Sequence, residues 1–171
     1  MGHKEHHIRA AKESPQRIPC AVITISDTRT PSDDTSGGLI RSTLSQAGHD
    51  VVRYEIVRDE PAQIVALVRD MAASGCKLII TNGGTGIARR DNTFEAIDSL
   101  LERRLPGFGE LFRMLSYAEI GAAAMLSRAT AGLIGGTFIF CLPGSTAAVR
   151  LALERLIMPE LAHLIWETLR Q

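Results

Sequence analysis

Lys77-Leu78-Ile79-Ile80-Thr81-Asn82-Gly83-Gly84-Thr85-Gly86-Ile87-Ala88-Arg89-Arg90-Asp91-Asn92-Thr93 is the stretch that decides the fold. Lys77 to Thr81 is apolar and β-rich, and predicts a buried strand. Three glycines crowd the loop Asn82 to Gly86 that follows. Helical spacing then sets in, and Asn92 and Glu95 have the separation of a capping box for a helix over Asn92–Leu101. A strand entering a helix through a short Gly-rich loop is the unit of a parallel α/β sheet.

The alternation continues outward. Upstream, Cys20–Ile25 predicts a strand ending in the loop Ser26-Asp27-Thr28-Arg29-Thr30-Pro31. Gly37–Ala47 has helical spacing through Leu39, Ile40 and Leu44, with Gly48 as its stop. Val51–Val57 predicts a second strand. Asp59-Glu60-Pro61 opens a helix carrying Ile64, Leu67, Val68 and Met71, ended by Gly75. Downstream, Pro106-Gly107-Phe108-Gly109 breaks the pattern ahead of an Ala-rich helical region. Ser127–Leu133 and Thr137–Cys141 predict two strands joined by a tight turn at Gly135-Gly136. After the loop Leu142-Pro143-Gly144-Ser145-Thr146, helices over Val149–Met158 and Glu160–Leu169 are expected to divide at Pro159. The expected architecture is three-layer α/β/α, with a mainly parallel sheet and a small β-hairpin.

The chain has 171 residues, enough for one domain, read as 20–171 behind a mobile tail over 1–19. Aromatics are only 5% of the residues, so a mostly aliphatic, Ala-rich core is expected. Lysine plus arginine balances aspartate plus glutamate at 19 each, which gives no global pull toward nucleic acid or an anionic membrane. Any phosphate ligand must then be held locally. Cys20, Cys76 and Cys141 sit far apart without metal-site spacing, and read as buried reduced thiols of a cytoplasmic protein. The His-rich N-terminus lacks the apolar core of a signal peptide, and Arg128 and Gly135-Gly136 interrupt the most apolar stretch.

In a parallel sheet the ligand sits beyond the carboxyl ends of the strands. Gly83, Gly84, Thr85 and Gly86 lie there, where bare N–H groups suit phosphate oxygens. Arg89 and Arg90 suit anionic oxygens, and Asp91 suits a hard divalent cation or a turn near the helix cap. Asp59, after the second strand, is either a helix N-cap or a second carboxylate for metal at the same edge. Ser26, Asp27 and Thr28, and the run Asp33-Asp34-Thr35-Ser36-Gly37, suit sugar or base hydrogen bonding, or turns and caps. Pro143, Gly144 and Ser145 lead into another helix N-terminus. Ser127-Arg128 reaches the same edge, and Arg128 needs either a structural carboxylate or a bound anion. No residue set marks a covalent nucleophile, so direct in-line transfer fits better.

These residues resemble the MoaB/MogA family of molybdenum cofactor proteins. The resemblance rests on Gly83-Gly84-Thr85-Gly86, Arg90-Asp91, Thr93 and Glu95-Ala96. It is supported by Ser26-Asp27-Thr28, Asp34-Thr35-Ser36-Gly37, Pro106-Gly107-Phe108-Gly109-Glu110, Leu126-Ser127-Arg128 and Leu142-Pro143-Gly144. It implies adenylyl transfer from ATP to molybdopterin with Mg²⁺ and release of pyrophosphate, with Asp59 and Asp91 as catalytic and metal-holding residues. It also implies a homotrimer or a hexamer, with no nucleic-acid or membrane partner; the region Met114 to Met125 is one candidate interface. A catalytically silent carrier or scaffold of the same pathway is the alternative. Where adenylyltransferase-type members commonly have Val and Pro, this chain has Asn92 and Phe94. The stretch from Phe108 to Ser116 looks closer to the MoaB branch.

Overall fold

In the computed structural model, residues 5, 8, 9 and 12–169 are described. Part of the segment expected to be a mobile tail, 1–4, 6, 7, 10 and 11, therefore lies outside the described residues. Ile18 is buried in the core and accepts a hydrogen bond from the Asp50 N–H (3.0 Å).

The strands are β1 (Pro19–Ile25), β2 (Asp50–Val57), β3 (Leu78–Asn82), β4 (Arg103–Arg104), β5 (Thr130–Ile134) and β6 (Thr137–Leu142). The helices are α1 (Thr35–Gln46), α2 (Pro61–Ala73), α3 (Thr93–Asp98), α4 (Pro106–Ile120), α5 (Thr146–Ala152) and α6 (Met158–Leu169). One six-stranded sheet has the order β2-β1-β3-β6-β5-β4. β2, β1, β3 and β6 run parallel, and β5 and β4 are antiparallel additions. The expected three-layer, mainly parallel α/β fold with its hairpin is therefore present.

The uninterrupted apolar runs follow from burial on both faces. Cys20, Val22, Leu78, Ile80, Phe138 and Phe140 point to one layer, against α1, α4, α5 and α6. Their neighbours Ala21, Ile23, Ile79, Ile139 and Cys141 point to the other, against α2 and α3. The first layer is less aliphatic than expected: Phe108, Phe112, Phe138 and Phe140 gather in it, with Phe108 edge-on to Phe140 at 5.0 Å. Cys20, Cys76 and Cys141 are buried and unpaired, as expected.

Several boundaries differ from the sequence-based expectations. α1 begins at Thr35 because Asp34 is its N-cap, accepting from the Gly37 N–H. Pro106 starts α4 instead of breaking the pattern, since proline at the first helical position loses no hydrogen bond. Pro159 lies inside α6, and the irregularity falls one turn earlier, in a π-turn over Leu153–Ile157. A proline cannot donate to the carbonyl four residues back and crowds it, so the turn before it widens. β4 was not anticipated. Among the described residues no helix is long and apolar enough to cross a membrane.

Candidate functional site

The chain leaves β1 for β2 on one side and reaches β3 on the other. The carboxyl ends of β1 and β3 thus flank a topological switch point, where loops diverge and leave a crevice. A cavity of about 130 Å³ lies there, lined in part by Ser26, Arg29, Ser36, Gly83 and Gly144.

Its floor is a buried polar network. Asn82 donates to Thr24 Oγ1 (2.9 Å), and Thr24 donates to Asp34 Oδ2 (2.6 Å). Tyr54 of β2 also donates to Asp34 Oδ2 (2.7 Å), and the Gly37 N–H donates to its Oδ1 (2.9 Å). Burial and Asp34 push the Tyr54 hydroxyl up to about 12. The walls are tied together: Ser36 donates to the Gly144 carbonyl (2.9 Å), and its hydroxyl pairs with Thr146 (3.0 Å). Ser26 accepts from the N–H groups of Thr28 (3.2 Å) and Arg29 (3.1 Å), which tightens the turn after β1.

The Gly-rich loop continues the site. Gly83 and Gly84 have positive φ, +101° and +63°. A Cβ on Gly83 would overlap the Ile25 carbonyl, and one on Gly84 would overlap Thr93 Oγ1. Glycine is therefore required at both positions sterically as well as conformationally. The Gly83 N–H donates to Leu142 (3.1 Å). The N–H groups of Gly84, Thr85 and Gly86 meet no acceptor among the described residues.

Two carboxylates flank that open backbone. Asp59 lies against Gly84 and accepts from the Thr93 hydroxyl (3.0 Å). Glu60, one residue on, occupies the N-cap position of α2, so Asp59 is not the cap. Burial holds the Asp59 carboxyl above the usual range, and the negative charges of Asp91 and Asp27 add to this, against the opposing bonds from Thr93 and Asn92. Asp91 lies against Gly86 and accepts from the Ala88 N–H (3.0 Å). Among the described residues no three His, Cys, Asp or Glu side chains form a self-contained metal cage.

Arginines close the loop over the site. Arg90 pairs with Asp27 (3.2 Å), joining the loops after β3 and β1. Arg128 donates to the carbonyls of Thr85 (2.8 Å), Gly86 (2.7 Å) and Asp91 (3.3 Å), and binds the Glu95 carboxylate. Its partner is thus a structural carboxylate, and its guanidinium lies 4.9 Å over the Phe94 ring. This arginine drops the Glu95 carboxyl below its ordinary range. Glu95 consequently forms no capping box; Asn92 makes no side-chain cap and donates instead to the Arg90 carbonyl (3.1 Å). Arg128, Gly86, Asp91 and Glu95 share a shallow depression of about 380 Å³ with Arg89 and Asn92.

Ser145 caps α5, accepting from the Ala148 N–H (3.3 Å), and Gly144 approaches Gly83 closely. Pro143 is half-buried beside it. Ser127 is half-buried at the end of the turn leading to Arg128, and its N–H donates to the Ala124 carbonyl (3.0 Å). Sequence reasoning missed Thr24 and Tyr54. Each occupies an ordinary strand position, and only the pairing of β2, β1 and β3 brings them to Asp34.

Comparison with known proteins follows this geometry. A family model described as a probable molybdopterin binding domain matches residues 21–163. The molybdenum cofactor biosynthesis protein B of Bacillus subtilis is 54% identical over 162 residues, covering 91% of this chain and 93% of that one. A crystal structure of a molybdenum cofactor biosynthesis protein B superposes with a TM-score of 0.89 at 49% identity, covering 93% of this chain and all of the other. The tungsten cofactor synthesizing protein MoaB from Pyrococcus furiosus superposes with a TM-score of 0.83 at 40% identity, over 91% and 99% of the two chains.

Proposed function

Because the chain belongs to the molybdopterin-binding MoaB/MogA family of molybdenum cofactor biosynthesis, in its MoaB branch, we propose that its carboxyl-edge cleft transfers the adenylyl group of ATP to molybdopterin with Mg²⁺. The observation that carries this reading is the pair of carboxylates, Asp59 and Asp91, set against Gly84 and Gly86 along one stretch of open backbone N–H groups.

In this reading a terminal phosphate oxygen of molybdopterin attacks the α-phosphorus of ATP. The bond from that phosphorus to the bridging oxygen breaks, and pyrophosphate leaves. The chain's work is positioning and charge stabilisation, as in phosphoryl transfers generally. The open N–H groups of Gly84 to Gly86 face charge on phosphate oxygens, and Arg90 supplies a cation once a phosphate displaces Asp27. Ser26, Ser36 of α1 and Gly144 wall the pterin side. No covalent intermediate is needed: burial pushes the Cys20 and Cys141 thiols up to about 12, far from a reactive thiolate.

The donor set fits Mg²⁺. Both groups offer hard oxygens, and Asp59 is an anion disfavoured by burial and by negative neighbours, a penalty that a cation relieves. One or two carboxylates plus substrate phosphates is the usual demand of this ion. Bound there by Asp59 and Asp91, Mg²⁺ would screen the triphosphate and orient the phosphorus under attack. Incubation with molybdopterin, ATP and Mg²⁺ should yield adenylylated molybdopterin and pyrophosphate. Tight binding of either ligand with no product would leave the carrier reading instead.

Self-association accompanies this reading. Leu111, Met114, Tyr117 and Ile120 expose an apolar stripe along α4, continued by Met125 and Leu126. Spaced three apart, successive members are neighbours in a stripe that winds around the helix, and a patch of this kind suits contact between copies in a trimer. A monomeric mass in solution at micromolar concentration would overturn it.

A further inference from the structure

Tyr54 belongs to β2, the strand at the edge of the sheet, yet its hydroxyl reaches Asp34 Oδ2 at the cleft (2.7 Å). Asp34 is 6% exposed and lines the cavity at the ends of β1 and β3. A carboxylate buried this far needs donors on its oxygens. Thr24 supplies one at 2.6 Å and the Gly37 N–H another at 2.9 Å, and neither carries a charge. Tyr54 supplies a third from the outer strand. Burial and Asp34 push its pKa up to about 12, so it stays a donor at neutral pH.

Asp34 is also the N-cap of α1, so whatever holds the carboxylate holds the first turn of that helix. The turn is tightly packed: a Cβ on Gly37 would overlap Asp34 Oδ2 and Thr24 Oγ1. Ser36 lies in this turn and donates to the Gly144 carbonyl (2.9 Å), and Gly144 lies against Gly83. A line of contacts thus runs from Tyr54 through Asp34 and Ser36 to the loop after β6, and it spans the cavity. Tyr54 holds α1 at a second point, where the Arg41 guanidinium lies 4.5 Å over its ring. Arg41 is two helical turns beyond Asp34, on the same face. The two contacts are separable, because one uses the hydroxyl and the other the ring.

We propose that Tyr54 is a positioning residue of the cleft: its hydroxyl fixes Asp34, and through Asp34 the wall carrying Ser36, and so sets the affinity for the ligand on that side. The assignment of that side to the pterin rests on the proposed adenylyl transfer. The ATP phosphates in that reading lie against Gly84 to Gly86, outside this line of contacts. The hydroxyl therefore acts on one substrate and not on the other.

The test is Tyr54→Phe in the full chain, which keeps the ring and its contact with Arg41 and removes the hydroxyl alone. Binding of molybdopterin, and of ATP with Mg²⁺, is measured separately by equilibrium dialysis. Tyr54→Phe should raise the Kd for molybdopterin by about 3- to 10-fold, part or all of one hydrogen bond to a charged group. The Kd for ATP should not move. Arg41→Met breaks the other contact, and should lower Tm with both affinities at their wild-type values. Three results would overturn the proposal. Tyr54→Phe could melt lower yet bind molybdopterin as the wild type does, it could lose affinity for both ligands alike, or Arg41→Met could match its loss of molybdopterin. A wild type that binds molybdopterin and yields no product overturns the transfer reaction and not this role. A wild type that binds no molybdopterin overturns both.

Discussion

The loops after β3 and β6 leave adjacent parallel strands at the same edge and both enter helices, yet their hydrogen bonds are arranged differently. After β6, Ser145 caps α5, and Ser36 of α1 donates to the Gly144 carbonyl. After β3, Asn92 makes no side-chain cap for α3, and Glu95 is bound to Arg128. A helix capped by its own serine is accounted for by local chemistry. A loop held by an arginine from a distant strand, with two carboxylates against its glycines, is the one the proposed function assigns to phosphate and metal.

The largest difference between the loops should appear at the carboxylates. Asp91→Asn and Asp59→Asn should each reduce turnover by about 100-fold or more, in the range for lost charge stabilisation at a reacting phosphate. Stability should respond differently. The Asp59 carboxyl is raised in the folded state, chiefly by burial. A raised group contributes stability below its unfolded pKa and loses that contribution as pH rises through the folded value. Without Mg²⁺, Asp59→Asn should therefore melt higher than the wild type at neutral pH. The gap should close on acidification below the ordinary aspartate range. A lower melting temperature at unchanged turnover would make Asp59 a structural group.

Arg128 offers the next step. Arg128→Met removes the donor that holds the Thr85, Gly86 and Asp91 carbonyls. Losing charge-assisted hydrogen bonds of this kind costs about 2 kcal/mol, which for a chain this size lowers Tm by roughly 4–8 °C. The KM for ATP should rise more than kcat falls, because the loop is loosened and the reacting groups remain. Arg128→Lys should not rescue, since one ammonium cannot match the planar fork. Gly84→Ala should cost about 1–3 kcal/mol, through its positive φ and its overlap with Thr93, and should displace Asp59 with it.

The same contrast explains what was legible from sequence. Leu78-Ile79-Ile80 announces a doubly buried strand, and Gly83 to Gly86 announces a special loop, because both signals are local. The role of Asp59 was not local: its partner Thr93 lies 34 residues away, and the residue beside it takes the cap position. Asn92 and Glu95 matched a capping box, but Arg128, 33 residues on, outcompetes the helix end for Glu95. Phe94, which stands where the resemblance leads to an expectation of proline, lies beneath that arginine. Gly107 and Gly109 looked like helix breakers. Gly109 instead lets α4 approach the Ala129 carbonyl, a reason visible only once α4 and β5 are packed together.

The smallest effect should come from the loop after β6. Ser145→Ala removes a single N-cap bond, to the Ala148 N–H. Such a loss costs about 1 kcal/mol, or roughly 2–4 °C in Tm for a chain of this size. Ser145 is exposed at the mouth of the cleft, so its hydroxyl is also placed to meet a ligand phosphate. The two roles separate by substitution. Ser145→Asp keeps a capping oxygen and adds negative charge, so it should preserve Tm. If the hydroxyl only caps, KM for ATP and for molybdopterin should be unchanged in both variants. If it also contacts phosphate, Ser145→Asp should raise the KM of one substrate at full stability, and that substrate is the one lying against the β6 loop.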